Sequence, residues 1–238
     1  MNQYFCSDLI WKDHDYNAGH AGTIGNRGGN FVVQESDLLI AVGCQFSIRQ
    51  LSYRWENFAP KAYKIAVDID KYELNKLNSV KIDFAINNTL EYFLKKFLNN
   101  KNTFKNYDPK KWISFCKKIK RKYPICNKGY YLEKKYVNPY VFFNEFNKFS
   151  NKNDVLIPDA SANLIWAYQS LRPKKGQKIF TALNHSPMGY SIAASVGAKF
   201  GSKNRNVIAF IGDGSVSMNV QELETIAYNN LPVKIFIF

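Results

Sequence analysis

Metal-ligating and disulfide-forming side chains are scarce in this chain. Its three histidines, His14, His20 and His185, lie far apart, and its four cysteines, Cys6, Cys44, Cys116 and Cys126, include no C-x-x-C pair. That argues against a zinc site and a disulfide framework, and predicts free thiols in a reducing cytoplasm. No apolar run approaches the roughly 20 residues that span a bilayer, so no membrane partner is expected. The N-terminus, MNQYFCSDLIWKDHD, lacks the basic segment and apolar stretch of a secretory leader.

Acid is also scarce: 19 Asp and Glu stand against 33 Lys and Arg, a net charge of +14. Such an excess invites a nucleic-acid reading, but its location argues otherwise. Residues 91–135 hold 14 Lys or Arg against three Asp or Glu, so most of the excess lies in that one stretch. Only six of the basic residues are arginine, the side chain that best forks to bases and phosphates. A solvated lysine-rich connector is the simpler account, and no nucleic-acid partner is expected.

With 46% hydrophobic residues, the 238-residue chain has material for one large core or two ordinary ones. Three stretches differ in character. In residues 1–90, DLLIAVG (37–43) and KIAVDID (64–70) have the length and flanks of buried parallel strands. A glycine-rich loop and short helix, AGTIGNRGGNFVVQES (21–36), precede the first of them. Residues 91–136 form the connector. There DPKKWISFCKKIKRKY (108–123) places Trp112, Phe115, Cys116 and Ile119 on one helical face, with Asp108 as its N-cap. TLEYFLKKFL (89–98) is a second amphipathic helix.

Residues 137–238 start another α/β unit. A helix (138–149) leads to a short buried strand, DVLIPDA (154–160), and then to a helix dense in small residues, SPMGYSIAASVGAKF (186–200). The strand NVIAFIGDG, a helix beginning near Asn219 with Val220, Leu223, Ile226 and Ala227 on one face, and the strand PVKIFIF complete a right-handed βαβ unit. The expected fold class is therefore α/β, with two Rossmann-like doubly wound parallel-sheet units.

The most informative string is VIAFIGDGSVSMN (207–219), a strand that ends on an aspartate between two glycines. Ligands of open α/β sheets bind at the carboxyl ends of strands. Flanking glycines let backbone approach a ligand closely, and a carboxylate beside exposed amides suits a phosphate-bound divalent metal. A bare GDG also makes an ordinary turn, and from these residues alone both readings stand.

The longer segment GDGSVSMNVQELETIAYNNLPVKIFIF resembles the cofactor-binding segment of thiamine diphosphate enzymes, especially the acetolactate synthase-like group. SPMGYSIAASVGAKF is similar to that family's Met-Gly helix, PDASANLIWAYQ to its segment beside the diphosphate, and residues 19–76 to its central domain. The resemblance implies thiamine diphosphate and Mg2+ as cofactors, with Asp213 as metal ligand. It implies that Gly212, Gly214 and Ser215 line the diphosphate, that Ser161 and Asn163 lie near it, and that Met188 and Gly189 contact the cofactor through backbone. The implied reaction decarboxylates a 2-keto acid such as pyruvate and transfers the resulting carbanion to an acceptor, in a cytoplasmic homodimer or homotetramer. Details such as IRQLSYRWENFAPKAY lean toward relatives from surface-polysaccharide genes rather than amino-acid biosynthesis.

Two departures accompany the resemblance. The family's metal motif continues with an asparagine pair that would fall just past Phe238. Asn229 and Asn230 come too early and read as a helix-end turn. The family's activating glutamate belongs to an N-terminal domain for which this chain has no counterpart, so no catalytic residue is assigned. The expectation is a fragment: a central domain, a connector, and a cofactor-binding domain incomplete at its C-terminus, inactive alone. Other readings are a non-catalytic remnant of a split or truncated gene, and a nucleotide- or FAD-binding module. GTIGNRGG is not the G-x-G-x-x-G fingerprint, and a structural use of its glycines competes with dinucleotide binding. Asn184 and His185 occupy a loop that is glycine-rich in relatives; His185 reads either as a substrate contact or as an ordinary loop histidine. Nothing is assigned to His14 or His20.

Overall fold

In a computed structural model, residues 6–75 and 80–238 are described. They group into two units: residues 21–123, and residues 6–20 together with 124–238. The lysine-rich connector stretch is thus divided between them, and the N-terminal segment packs with the second. Among the described residues no helix is long and apolar enough to cross a membrane.

The first unit opens with α1 (Arg27–Gln34), whose N-cap Asn26 accepts a hydrogen bond from Gly29 N at 2.7 Å. Then come β1 (Leu38–Val42), α2 (Ile48–Leu51), β2 (Tyr63–Asp68), α3 (Lys71–Asn75), β3 (Phe84–Asn87), α4 (Leu90–Asn99) and α5 (Lys110–Lys122). The strands form a parallel sheet in the order β1-β2-β3. Both strands read from the sequence are present and parallel. They are not buried throughout, however: Leu38 is paired with Tyr63, and Ile40 aligns through Ile65 with Phe84, so all four exposed side chains share one face. The opposite face is packed, with Ala41 and Ala66 meeting Phe46, Leu51 and Val80.

Helix α5 starts at Lys110 as expected, but its N-cap is Pro109 and not Asp108; Asp108 stands one residue earlier, where its Oδ1 accepts from Lys110 N at 3.0 Å. It turns buried Cys116 and half-buried Trp112, Phe115 and Ile119 inward. A Cβ on Gly28 would stand 3.7 Å from Ile119 Cγ2, so this glycine lets α1 and α5 lie close together. Phe31 stacks on Tyr123 beside that contact, with 4.8 Å between ring centroids.

The second unit contains α6 (Pro139–Phe149), β4 (Asp154–Pro158), α7 (Ser161–Ser170), β5 (Lys178–Ile179), α8 (Tyr190–Gly201), β6 (Asn206–Ile211), α9 (Asp213–Met218), α10 (Glu222–Tyr228) and β7 (Val233–Ile237). Its parallel sheet runs β5-β4-β6-β7. Here both faces are covered. Small residues of α8 let Ala194 and Ala198 settle with Tyr190 over Val155, Ile157 and Val207. On the other face Phe142, Phe143 and Phe146 of α6 pack against Phe210 and Phe236 at centroid distances from 5.1 to 6.4 Å. The N-terminal segment is tied on through Lys12 N, which donates to Pro173 O at 3.0 Å, and through Asp8, which lies 3.5 Å from Lys178.

One helix boundary differs from expectation. The helix expected to begin near Asn219 is present as α10 but starts at Glu222, and a short helix not expected from the sequence, α9, precedes it from Asp213 with extended Gly212 as its N-cap. The face expected to bury Val220 and Leu223 leaves both exposed. Asn229 and Asn230 end α10 as expected: Asn229 Nδ2 donates to Thr225 O at 2.8 Å, and Asn230 takes φ +50°. None of the four cysteines is in a disulfide among the described residues.

Candidate functional site

The chain leaves β4 for β5 on one side and reaches β6 on the other, so the topological switch point lies between β4 and β6. Their carboxyl ends carry Asp159 and the Gly212–Asp213–Gly214 loop. Register is kept past the last strand pair, because Asp159 N donates to Phe210 O at 2.9 Å. On the far side of β6, Asp213 N donates to Phe238 O at 3.2 Å, which ties the loop to the end of β7.

The segments singled out in the sequence converge at this edge. A Cβ on Gly212 would be 3.8 Å from Asn163 Nδ2, and one on Gly214 would be 3.5 Å from Met188 Cε. Gly189, with φ +85°, has Asn219 so close that a Cβ would lie 2.7 Å from its Nδ2. Only glycine suits that backbone and that approach. Ser161 opens α7 with φ +62°, a left-handed conformation unusual for serine. Ser215 is buried, while Asp213 is exposed and accepts from Gly214 N at 2.7 Å through Oδ1. Asn184 and His185 are exposed on the loop before α8. His20 packs its buried ring edge-on to Tyr168, with 6.4 Å between centroids.

Asn163 is 4% exposed, yet its Oδ1 meets no hydrogen-bond partner. A buried amide left half satisfied is costly, and its Oδ1 is an acceptor that a donor or a cation at this strand end would satisfy. The donor set has a definite character. Among the described residues no three His, Cys, Asp or Glu side chains converge to hold a metal. Asp213 would therefore bring one carboxylate, which fits a cation of the Mg2+ type that takes its remaining ligands from phosphate and water. It does not fit a self-sufficient protein cage.

Asp159, the aspartate shared by DVLIPDA and PDASANLIWAYQ, was assigned no role from the sequence. It is 1% exposed, and its carboxylate accepts from Gly189 N at 3.1 Å and Ser191 N at 2.7 Å. Its place directly after an apolar strand and before a helix was a visible signal, but its partners lie 30 and 32 residues on, beyond the reach of local pattern.

Comparison with known proteins agrees with this geometry. Residues 159–238 match the family description "Thiamine pyrophosphate enzyme, C-terminal TPP binding domain", and residues 2–97 match "Thiamine pyrophosphate enzyme, central domain". The chain belongs to the thiamine pyrophosphate (thiamine diphosphate) enzyme family. Within it, the chain is similar to acetolactate synthase large subunits. It is 32% identical over 229 residues to that of Cyanidium caldarium (94% of this chain, 38% of the relative). It is 34% identical over 230 residues to that of Pyropia yezoensis (95% and 38%). With the isozyme 2 large subunit of Escherichia coli K12 it shares 31% over 230 residues (95% and 39%). The chain spans about two fifths of the length of the curated relatives it matches.

Proposed function

We propose that this chain supplies the diphosphate and metal subsites of a thiamine diphosphate- and Mg2+-dependent enzyme. The enzyme acts on a 2-keto acid such as pyruvate in the cytoplasm, decarboxylating it and passing the carbanion to an acceptor, as an acetolactate synthase-like lyase or transferase. The observation that carries the reading is the convergence of Asn163, Met188, Gly189 and Gly212–Ser215 at one switch point, with the orphaned Asn163 Oδ1 among them. Bound there, thiamine diphosphate would supply the electron sink for decarboxylation.

The chain's own residues would do the holding. Asp213 offers its exposed carboxylate to the divalent ion. Gly212 and Gly214 would present backbone to the diphosphate with no side chain in the way, and Ser215 would line it from its buried place beside them. Asn163 of α7 would offer its unpartnered Oδ1, an acceptor, to the cation or to a donor of the cofactor. Ser161 stands at the start of that helix. Met188 and Gly189 bring backbone, with the Met188 side chain reaching toward Gly214. Exposed Met218, Val220 and Leu223 beside the site are consistent with a homodimer or homotetramer in the working enzyme.

The test is calorimetric titration of Mg2+ with thiamine diphosphate into the wild-type protein and Asp213→Ala. Binding by the wild type and its loss in the variant is the expected result. Undiminished binding by Asp213→Ala would sink the metal assignment.

A further inference from the structure

Gly189 is gripped from two sides. On one, Asp159 accepts its N–H at 3.1 Å and that of Ser191 at 2.7 Å. These are first-turn donors of α8 that the helix itself leaves without partners, so a buried carboxylate from β4 acts as the helix's cap. Thr181 Oγ1, 3.2 Å from Asp159 O, and the Asp159 N–H to Phe210 O fix the backbone that carries this carboxylate. On the other side, Asn219 at the end of α9 presses against the glycine, 2.7 Å from where a Cβ would be. The residue before Gly189 is Met188, whose methyl faces Gly214.

We infer that Asp159 is a positioning residue of the cofactor site: it clamps the Met188–Gly189 turn and the start of α8 to the end of β4, and thereby sets where Met188 stands opposite Gly214. With both carboxylate oxygens engaged, Asp159 also occupies the α8 N-terminus, so that helix end is closed to an incoming anion. The consequence for binding rests on the proposed cofactor reading; the clamp itself does not.

The chain's methionines, Met1, Met188 and Met218, make the clamp observable without activity. In the full chain labelled with [methyl-13C]methionine, the Met188 signal is assigned by Met188→Leu and then compared in Asp159→Asn. The amide variant keeps the shape but can accept only one of the two N–H groups. Displacement or broadening of the Met188 signal is expected, with a rise of about tenfold or more in the Kd for Mg2+–thiamine diphosphate. Asp154→Asn is the matched control. Asp154 is a buried carboxylate at the opposite end of β4, accepting from Asn151 N at 2.7 Å and Asn206 Nδ2 at 2.9 Å. It is expected to leave both readouts where the wild type has them.

A Met188 signal unmoved in Asp159→Asn, or moved equally by Asp154→Asn, overturns the inference. A wild-type chain that binds no Mg2+–thiamine diphosphate overturns the proposed function instead, and the ligand-free Met188 signal still decides the clamp. If Asp159→Asn does not fold, amide hydrogen exchange in the wild type decides. Slow exchange at Gly189 and Ser191 relative to Ala162 and Asn163 at the start of α7 supports the clamp, and equal rates refute it.

Discussion

The two sheets of this chain share a grammar and differ in what covers them. Both are parallel, built from short apolar strands joined by helices, yet only in the second are the central strands packed along both faces. Every residue of β4 is buried, as are Val207–Ile211 of β6, whereas β1 has Leu38 at 50% exposure and β3 has Phe84 at 54%. The difference teaches where a strand-end site can be built. Residues at the carboxyl edge are held to tenths of an ångström only when the strands beneath them cannot move. Asp159 and Asp213 stand on strands wedged between the phenylalanines of α6 and the small-residue face of α8. The first sheet leaves Leu38, Ile40, Tyr63 and Phe84 exposed on one face, which closes only at Val67, and it is less firmly backed.

The largest expected effect tests that wedge directly. Phe143 is fully buried among Phe142, Phe210 and Phe238, and Phe143→Ala should cost about 3–5 kcal/mol. Leu38→Ala, on the open face of the first sheet, removes a half-exposed side chain and should cost about 1 kcal/mol or less. Urea denaturation of both variants measures the gap. Equal losses would break the comparison, because they would mean that the open face is as well packed as the closed one.

Next comes Gly189→Ala, which should destabilise by about 2–3 kcal/mol. A Cβ there meets Asn219 at 2.7 Å and the φ of +85° disfavours any side chain. Gly197, in the same helix with nothing within 4 Å of its would-be Cβ, supplies the contrast. Gly197→Ala should stabilise by about 0.5–1 kcal/mol through helix propensity alone. Thermal or urea unfolding of the pair would show whether the glycines of α8 divide as their surroundings say.

How much of this was legible in the sequence follows from range. LLIAV, VLIP and VIAFI announce strands because apolar length and flanking turns are local properties, and the GDG, Met-Gly and ASAN segments announce a site because each motif is contiguous. What was not legible depends on distant partners. β3 is four residues between Asp83 and Asn88, and β5 is the pair Lys178–Ile179, recruited by β4. LLIAV reads equally well as a strand buried on both faces or on one, so the exposure of Leu38 and Ile40 left no trace in the pattern. Helix α9 also escaped notice, since its six residues, DGSVSM, carry a glycine and two serines rather than an apolar period.

Ser161 tests whether the second unit carries local strain at its site. A left-handed serine costs about 1–2 kcal/mol relative to a favoured conformation, and glycine removes most of that while adding unfolded-state entropy. Ser161→Gly should therefore stabilise by about 0.5–1 kcal/mol net. If Ser161 touches the diphosphate through its hydroxyl, the same variant weakens binding. If it contributes backbone alone, affinity stays put, and calorimetry separates the two.

The smallest effect belongs to the first sheet and depends on pH. Asp83 sits at the start of β3 and accepts from Lys64 N at 2.9 Å, while its own N–H donates to Lys64 O at 2.9 Å. The Lys64 amide, and then Lys81 at 3.2 Å, hold its carboxyl below the usual carboxylate range, although burial pushes the other way. A carboxylate whose folded pKa is depressed contributes stability above its unfolded pKa and loses it as pH falls through the folded one. The β2–β3 pairing should therefore weaken on acidification below about pH 4, and Asp83→Asn should flatten that limb of the profile. In a Trp11→Phe, Trp166→Phe background only Trp55 and Trp112 remain, both in the unit that holds this sheet, so their fluorescence isolates the transition. An acid limb unchanged by Asp83→Asn would mean that the open-faced sheet draws its pH response from elsewhere.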